Sequence, residues 1–533
     1  MRRFLPWVLL LVVLAGIARW GGPWLSQRRL KLGAKAPTQA PQAIPPPKEM
    51  PADERGAAPA SPVPLALSGD VPSAADLRAA AKDANVLICV LDAARADHFG
   101  AYGYPRDTTP NFDALAKGGL LFTEHFCQFA STTPSTVSLL TSQYPDTHGV
   151  YHASGENVIR DRMNDRRSHI TLEAGMKSAG LDTYLFSGNP AASPAMGVGD
   201  DFDVTFPPKS GDRDQQIAYC RQARTSPQVV IRSITRTLRE RDGKRFFAYV
   251  HFLPPHSPYL APEELAAQFR GKQPPAYHSG QPAFTQVASE RSGDVPNLVD
   301  TELVNAYDAN LKWADAALGE LIALLKQRGE FENTLLIVTA DHGEALGEHA
   351  YKWHVTCPYD EALRIPLLVK FPGPTPPVGR VGALTETVDL LPTLFDLRQV
   401  AYPKDKVQGR SLLPLLTGQT PAVRAYVFSQ TAGHYPCQVV HDLRYSLLLY
   451  KGGKLQALYD LAWDPRQRRN LIAELPDQAT LMKQVFLGFA KSQHYPPLDF
   501  IDPKYRPGLF TRPEQGKLSE EMRRELRSLG YLE

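Results

Sequence analysis

Two apolar runs in this chain stop abruptly on acids. Val86 to Leu91 ends on Asp92, and the second run, Glu332 to Ala340, ends on Asp341-His342-Gly343-Glu344. Each pattern predicts a strand buried on both faces that delivers a polar side chain to the sheet edge, where α/β proteins place their chemistry. Two carboxylates and an imidazole arriving from two strand ends suit a hard or borderline divalent cation. Taken singly, Asp92 would do no more than cap the helix that follows. Between the two runs lies Ser131-Thr132-Thr133-Pro134-Ser135, followed by the apolar Val137, Leu139 and Leu140. Hydroxyls therefore stand where a helix begins and where backbone N–H groups favour an anion. A cation beside Thr132 would lower the pKa of its hydroxyl and orient it as a nucleophile. The plain alternative is a Thr serving as helix N-cap, and Ser131 and Thr133 are neighbours able to substitute for Thr132.

Several longer motifs surround these residues: Asn85 to Asp92, Arg95-Ala-Asp97-His98, Tyr102-Gly-Tyr-Pro105, Thr109-Pro110-Asn111 and Tyr144-Pro-Asp-Thr-His-Gly-Val150. Together they resemble the opening of the sulfatase family, within the alkaline-phosphatase-like superfamily. The resemblance resumes at Ala248 to Tyr259, Val338 to Glu348, Tyr359 to Pro366 and Leu458 to Leu471, so it spans most of residues 83–475. It implies an α/β fold with a central, mostly parallel sheet flanked by helices and a smaller C-terminal antiparallel-sheet subdomain. It also implies that Asp92, Asp341 and His342, with Thr132, hold one divalent ion: calcium, manganese or zinc.

The chain departs from the family's pattern at two places. Sulfatases carry Cys-x-Pro-Ser-Arg where this chain has Thr132-Thr133-Pro134-Ser135-Thr136, so no formylglycine is expected and the motif's Arg is replaced. After the strand Thr183 to Phe186 the chain reads Ser187-Gly188-Asn189-Pro190, without the family's Lys and His. Other cations must then meet the substrate anion. His256, in the turn His256-Ser-Pro-Tyr259, matches the family's substrate-contact histidine, while His251 on the preceding strand can be core or site. His354 and Lys352, just before Tyr359, resemble the segment that carries a substrate-binding Lys or His. Either could supply charge and a proton to the leaving oxygen. Arg95 is read as a structural partner near Asp92, and His349 as a surface residue.

The remaining elements must position these side chains. Glu302 to Gln327 repeats Leu303, Val304, Tyr307, Leu311, Ala314, Leu318, Leu321, Ile322 and Leu325 at helical spacing, which predicts an amphipathic helix covering the sheet. Ala74 to Lys82 reads as a short helix leading into the first strand. Ser210 to Ser226 and Gly271 to Pro296 read as polar insertions at the pocket rim. Ala425 to Phe428, Tyr445 to Tyr450 and Gln456 to Tyr459 read as strands of the second subdomain. Five Cys at 89, 127, 220, 357 and 437 form no CxxC pair, so neither a zinc knuckle nor a disulfide framework is indicated. A formal charge of +3, with no basic stripe, argues against nucleic acid.

Met1-Arg-Arg before the apolar run Phe4 to Ala18 has the form of a signal anchor or cleaved signal peptide. The organisation expected is an anchor at 1–26, a Pro/Ala-rich linker at 27–82, a catalytic domain at 83–400, a C-terminal subdomain at 401–495 and a charged tail at 496–533. The function expected is hydrolysis or transfer of an anionic phosphate or sulfate ester on a glycan, lipid headgroup or small molecule, by an exported enzyme. The alternatives are a sulfuric ester hydrolase working without formylglycine, and an inactive envelope protein that binds an anionic glycan or lipid.

Overall fold

The structure is a computed structural model that describes residues 64–151, 156–165, 169–209, 213–274, 301–432, 436–450 and 456–492. The expected anchor, most of the linker, the tail and most of the Gly271 to Pro296 stretch lie outside the described residues. Among the described residues no helix is long and apolar enough to cross a membrane.

Nine strands form one sheet, in the order Ala66–Leu67, Gly379–Val381, Leu120–Phe122, Leu367–Lys370, Thr334–Thr339, Asn85–Leu91, Phe246–Phe252, Asp182–Ser187 and Val204–Phe206. The last five of these run parallel to one another, and Leu367–Lys370 is antiparallel to both of its neighbours. All of Asn85–Leu91, Phe246–Phe252 and Thr334–Thr339 is buried, which is why these strands read as continuous apolar runs instead of alternating ones. Burying one Val, Leu, Ile or Phe contributes about 1.5–3 kcal/mol, so the centre of the sheet is a rigid platform.

The helix Thr301–Gln327 covers one face as its periodicity predicts, with Val304, Tyr307, Leu311, Ala314, Leu318, Leu321 and Leu325 buried. Tyr307 also reaches the sheet's chemical edge: its hydroxyl donates to Ala93 O at 2.8 Å and accepts from Arg95 N–H at 2.9 Å. The turn after the first buried strand is thus tied to the covering helix, with Ala93 at φ +60°, a left-handed conformation that a non-glycine residue holds only when its surroundings enforce it.

One expectation is corrected here. Arg213–Thr225, inside the stretch read as a polar insertion, is a helix packed on the helix Gln228–Glu240, with Ile217, Cys220 and Ala223 buried and Tyr219 OH 3.2 Å from Ser233 Oγ. Its apolar stripe is narrow and its long polar residues mask it. Arg95 has the structural role expected of it, pairing with Asp97 and Glu348, each at 2.8 Å.

The C-terminal sheet is a four-stranded antiparallel meander, Val427–Gln430, Cys437–His441, Tyr445–Tyr450 and Gln456–Asp460. Leu447, Leu449 and Leu458 pack against Met482, Phe486 and Ala490 of the helix Pro476–Ser492. The meander is joined to the main sheet's loops by a bridge between Phe129 and Gln430 and by buried Arg424, which pairs with both Glu386 and Asp389.

Candidate active site

Strand register brings the centre of the site together. Val90 lies opposite both His251 and Thr339, and His251 lies opposite Ser187. Asp92, Asp341, His251 and Asn189 therefore all leave the sheet at one carboxyl edge, the usual position for ligands in open parallel sheets.

Ligand atoms of Asp92, Asp341 and His342 lie within 4.8 Å of one another, and all three residues are buried. Asp92 Oδ2 is engaged by His251 Nε2 at 2.8 Å and by the Asn189 side-chain amide. Asp341 Oδ1 accepts from the N–H groups of Ala93 and His342, at 3.2 and 3.0 Å. The other oxygen of each carboxylate, Asp92 Oδ1 and Asp341 Oδ2, is buried without a donor. Buried anionic oxygens left in that state are strongly unfavourable unless a cation takes them. His342 Nδ1 lies 2.8 Å from Gly343 O, and a carbonyl only accepts, so Nδ1 carries the proton and Nε2 the lone pair. Two carboxylate oxygens and one imidazole nitrogen facing each other fit a divalent ion. Burial works against the Asp92 charge, but His256, His251 and His342 hold its carboxyl down to about 2. Burial likewise opposes charge on His251, yet the bond to Asp92 raises it above its ordinary value.

Thr132 is the first residue of the helix Thr132–Thr141, and the extended residue before it, at the N-cap, is Ser131. Thr132 is thus not the cap; its Oγ1 lies 3.1 Å from His342 Nε2. Thr133 Oγ1 instead donates to Ala191 O at 2.8 Å, and Ser135 Oγ donates to Asp341 O at 2.5 Å.

His256 and His354 join the same cluster. Ring centroids stand 4.2 Å apart for His342 and His354, 4.9 Å for His256 and His354, and 6.3 Å for His256 and His342. Burial lowers His256 below the usual imidazole range, against the pull of Asp92. His354 Nδ1 is 2.8 Å from Glu344 Oε1, and Glu344 is fully buried. Glu344 is held at this place because Gly343 lets the chain run against Glu361, whose carbonyl a Cβ at 343 would meet at 2.1 Å. Lys352 is exposed, in a two-residue strand paired with Ala345–Leu346. His349 is not a surface residue: Nδ1 is 2.7 Å from Glu361 Oε1 and the ring stacks on Tyr359 at 3.7 Å.

Sequence reasoning undervalued His251 and missed Asn189 and Glu344 as parts of the site. The departure at Gly188-Asn189 from the family's pattern was the one signal that pointed to Asn189.

The sulfatase family model matches residues 84–400, and a model described as the C-terminal part of N-sulphoglucosamine sulphohydrolase matches residues 347–493. An arylsulfatase of Clostridium perfringens is 26% identical over 439 residues, 73% of this chain and 90% of its own length. A multifunctional alkaline phosphatase superfamily protein of Trinickia caryophylli is 26% identical over 412 residues, 63% of this chain and 78% of its own. Among solved structures, the phosphonate monoester hydrolase of Agrobacterium radiobacter superposes with a TM-score of 0.60 at 22% identity, covering 77% of this chain and 96% of its own. With a family model spanning eight of the sheet's nine strands and every residue of the metal-competent cluster, this chain belongs to the sulfatase family and is an ester hydrolase of the alkaline-phosphatase-like superfamily.

Proposed function

We propose that the chain cleaves, or transfers the anionic group of, a phosphate or sulfate ester, with Thr132 as nucleophile at the position where sulfatases form formylglycine. The observation that carries this reading is the Thr132 hydroxyl 3.1 Å from His342 Nε2, inside the Asp92, Asp341 and His342 cluster. A calcium, manganese or zinc ion held by those three residues would lower the pKa of the Thr132 hydroxyl and offset the ester's negative charge.

The Thr132 alkoxide attacks phosphorus or sulfur, and the bond to the leaving oxygen breaks as the new one forms. The electron pair departs on that oxygen, which takes a proton from His354 or His256. Water then attacks the esterified Thr132 and restores the hydroxyl; an acceptor alcohol in place of water would make the reaction a transfer. A threonine ester must be opened by attack at phosphorus or sulfur, since threonine has no route to the aldehyde hydrate. That requirement puts phosphate esters ahead of sulfate esters. The name of the Trinickia relative, a multifunctional superfamily protein, suits a site open to more than one anion.

The substrate would be an anionic ester on a glycan, a lipid headgroup or a small molecule. Met1-Arg-Arg and the run Phe4 to Ala18 support export, with the catalytic domain tethered outside the cytoplasm or released by cleavage. Protease accessibility of the domain in intact cells tests the export.

Turnover of aryl sulfate, phosphate monoester and phosphate diester by purified protein loaded with each metal, beside Thr132→Ala, tests the chemistry. Phosphoester activity that disappears in the variant supports the threonine mechanism. Sulfate turnover that disappears in it supports a sulfuric ester hydrolase without formylglycine. Metal binding with no turnover of any ester would leave an anion-binding protein.

A further inference from the structure

Glu344 is not one of the three residues of the metal-competent cluster, yet it is fully buried beside them. A carboxyl group is rarely buried without a hydrogen-bonding partner that repays its lost hydration. Its partner is the ring of His354, with Oε1 2.8 Å from Nδ1. The chain around it is fixed from several sides. Glu344 N–H donates to Glu361 O at 2.9 Å, and its own carbonyl accepts from Arg95 Nη1 at 3.1 Å. Gly343 permits the close approach to Glu361 described above. His354 itself sits beyond the two-residue strand Lys352–Trp353, where Trp353 holds φ +72°. The loop carrying His354 is thus in a strained conformation, and its ring needs a fixed anchor to hold one orientation.

With Nδ1 engaged by Glu344, a proton that this ring delivers to a bound ester can leave only from Nε2. Orientation of this kind matters because proton transfer requires heavy atoms within hydrogen-bond reach, and loss of a general acid commonly slows a reaction by about 10²–10⁴-fold.

We propose that Glu344 is a positioning residue that fixes the ring of His354 and so selects Nε2 as the edge that protonates the leaving oxygen. This rests on the reading of His354 as a proton donor given above. In chemical terms, the ester oxygen–phosphorus or oxygen–sulfur bond breaks, the electron pair goes to the departing oxygen, and the proton moves from His354 Nε2 to it. Glu344 forms and breaks no covalent bond. The need for such a device is greatest when the departing alkoxide is a poor leaving group, so Glu344 would adapt the enzyme to esters of alkyl or sugar alcohols in preference to activated aryl esters.

The test uses the metal-loaded full chain and the variants Glu344→Ala, Glu344→Gln, His354→Ala and the His354→Ala/Glu344→Ala pair. kcat and KM are measured across esters from 4-nitrophenyl to simple alkyl, with bound metal measured for every variant. Glu344→Ala is expected to lower kcat about 10²-fold or more on alkyl esters and by less than about 5-fold on the 4-nitrophenyl ester, with KM little changed. Gln keeps an acceptor for Nδ1–H and should restore much of the loss. The pair should be no slower than His354→Ala alone, as expected for residues acting as a unit. Equal losses on every ester, or additive losses in the pair, would overturn the proposal.

A second measurement is independent of turnover. In ¹⁵N-histidine-labelled protein the Nδ1–H signal of His354, assigned by its loss in His354→Ala, should broaden or vanish in Glu344→Ala and persist in Glu344→Gln. If that signal is unchanged in Glu344→Ala, the positioning role fails even when the protein turns over no ester. Failure of all turnover with the signal behaving as expected would instead sink the proton-donor reading and leave the anchoring intact.

Discussion

His251 Nε2 stands 2.8 Å from Asp92 Oδ2, and this contact decides which Asp92 oxygen faces Asp341 and His342. With Oδ2 occupied by His251 and Asn189, Oδ1 is the oxygen turned toward His342 Nε2, at 3.7 Å. Partners of this kind orient ligand side chains, and their loss commonly weakens metal affinity by about 10–100-fold. His251→Ala should do so while leaving the fold intact, as calorimetric titration with zinc or manganese would report. An affinity equal to the parent's would show that His251 is merely core.

Asp341 turns Oδ2 toward the cluster and uses Oδ1 to brace Ala93 and His342. Asp341→Ala removes both. Elemental analysis after dialysis should find no stoichiometric metal in this variant, whereas Thr132→Ala should retain it. A full complement of metal in Asp341→Ala would refute the ligand assignment.

Acid should destabilise the protein through two buried imidazoles away from the cluster. His148 Nδ1 accepts from Val150 N–H at 3.0 Å, leaving Nε2–H for Ser138 Oγ at 3.1 Å, so the neutral ring is satisfied and a second proton has no place. Burial, helped by His169, pushes His148 down to about 3, and burial with Arg424 does the same to His125. The folded values lie below the unfolded one near 6.5, so the unfolded chain takes up protons that the folded chain refuses. Their stability contribution is therefore complete above about pH 6.5 and falls as pH drops toward 3. At pH 5 each imidazole accounts for a loss of about 2 kcal/mol. His148→Gln should melt at a temperature that falls less steeply between pH 7 and pH 5 than the parent's; parallel curves would rule out this source of acid sensitivity.

All five cysteines are buried and none is in a disulfide, and burial raises the thiol values of Cys89, Cys127, Cys357 and Cys437. A thiol reagent should consequently find almost no reactive groups in native protein and five after denaturation. Fewer than five in the unfolded, unreduced chain would mean that a disulfide forms.

The cluster of Asp92, Asp341 and His342 is legible in the sequence because each sits where an apolar strand stops, and a strand's end is visible in one dimension. Lys352 and His354 cannot be separated in the same way. They lie two residues apart, and only the short pairing of Lys352–Trp353 with Ala345–Leu346 leaves one side chain exposed and the other buried beside His342. The helix Arg213–Thr225 is hard to see along the chain because most of its residues are polar, and its buried side is apparent only once Gln228–Glu240 packs on it.

The chain alone determined the apolar strands, the long covering helix, the acids and hydroxyl at their ends, and the departures at Thr132 and Asn189 from the family's pattern. These follow from residue type and local periodicity. Tertiary structure decided the partnerships: His251 and Asn189 on Asp92, Glu344 on His354, and Thr132 in preference to Thr133 beside His342. Strand register and loop packing set those contacts between residues as many as 210 positions apart, and pairing at that range leaves no periodic trace along the chain.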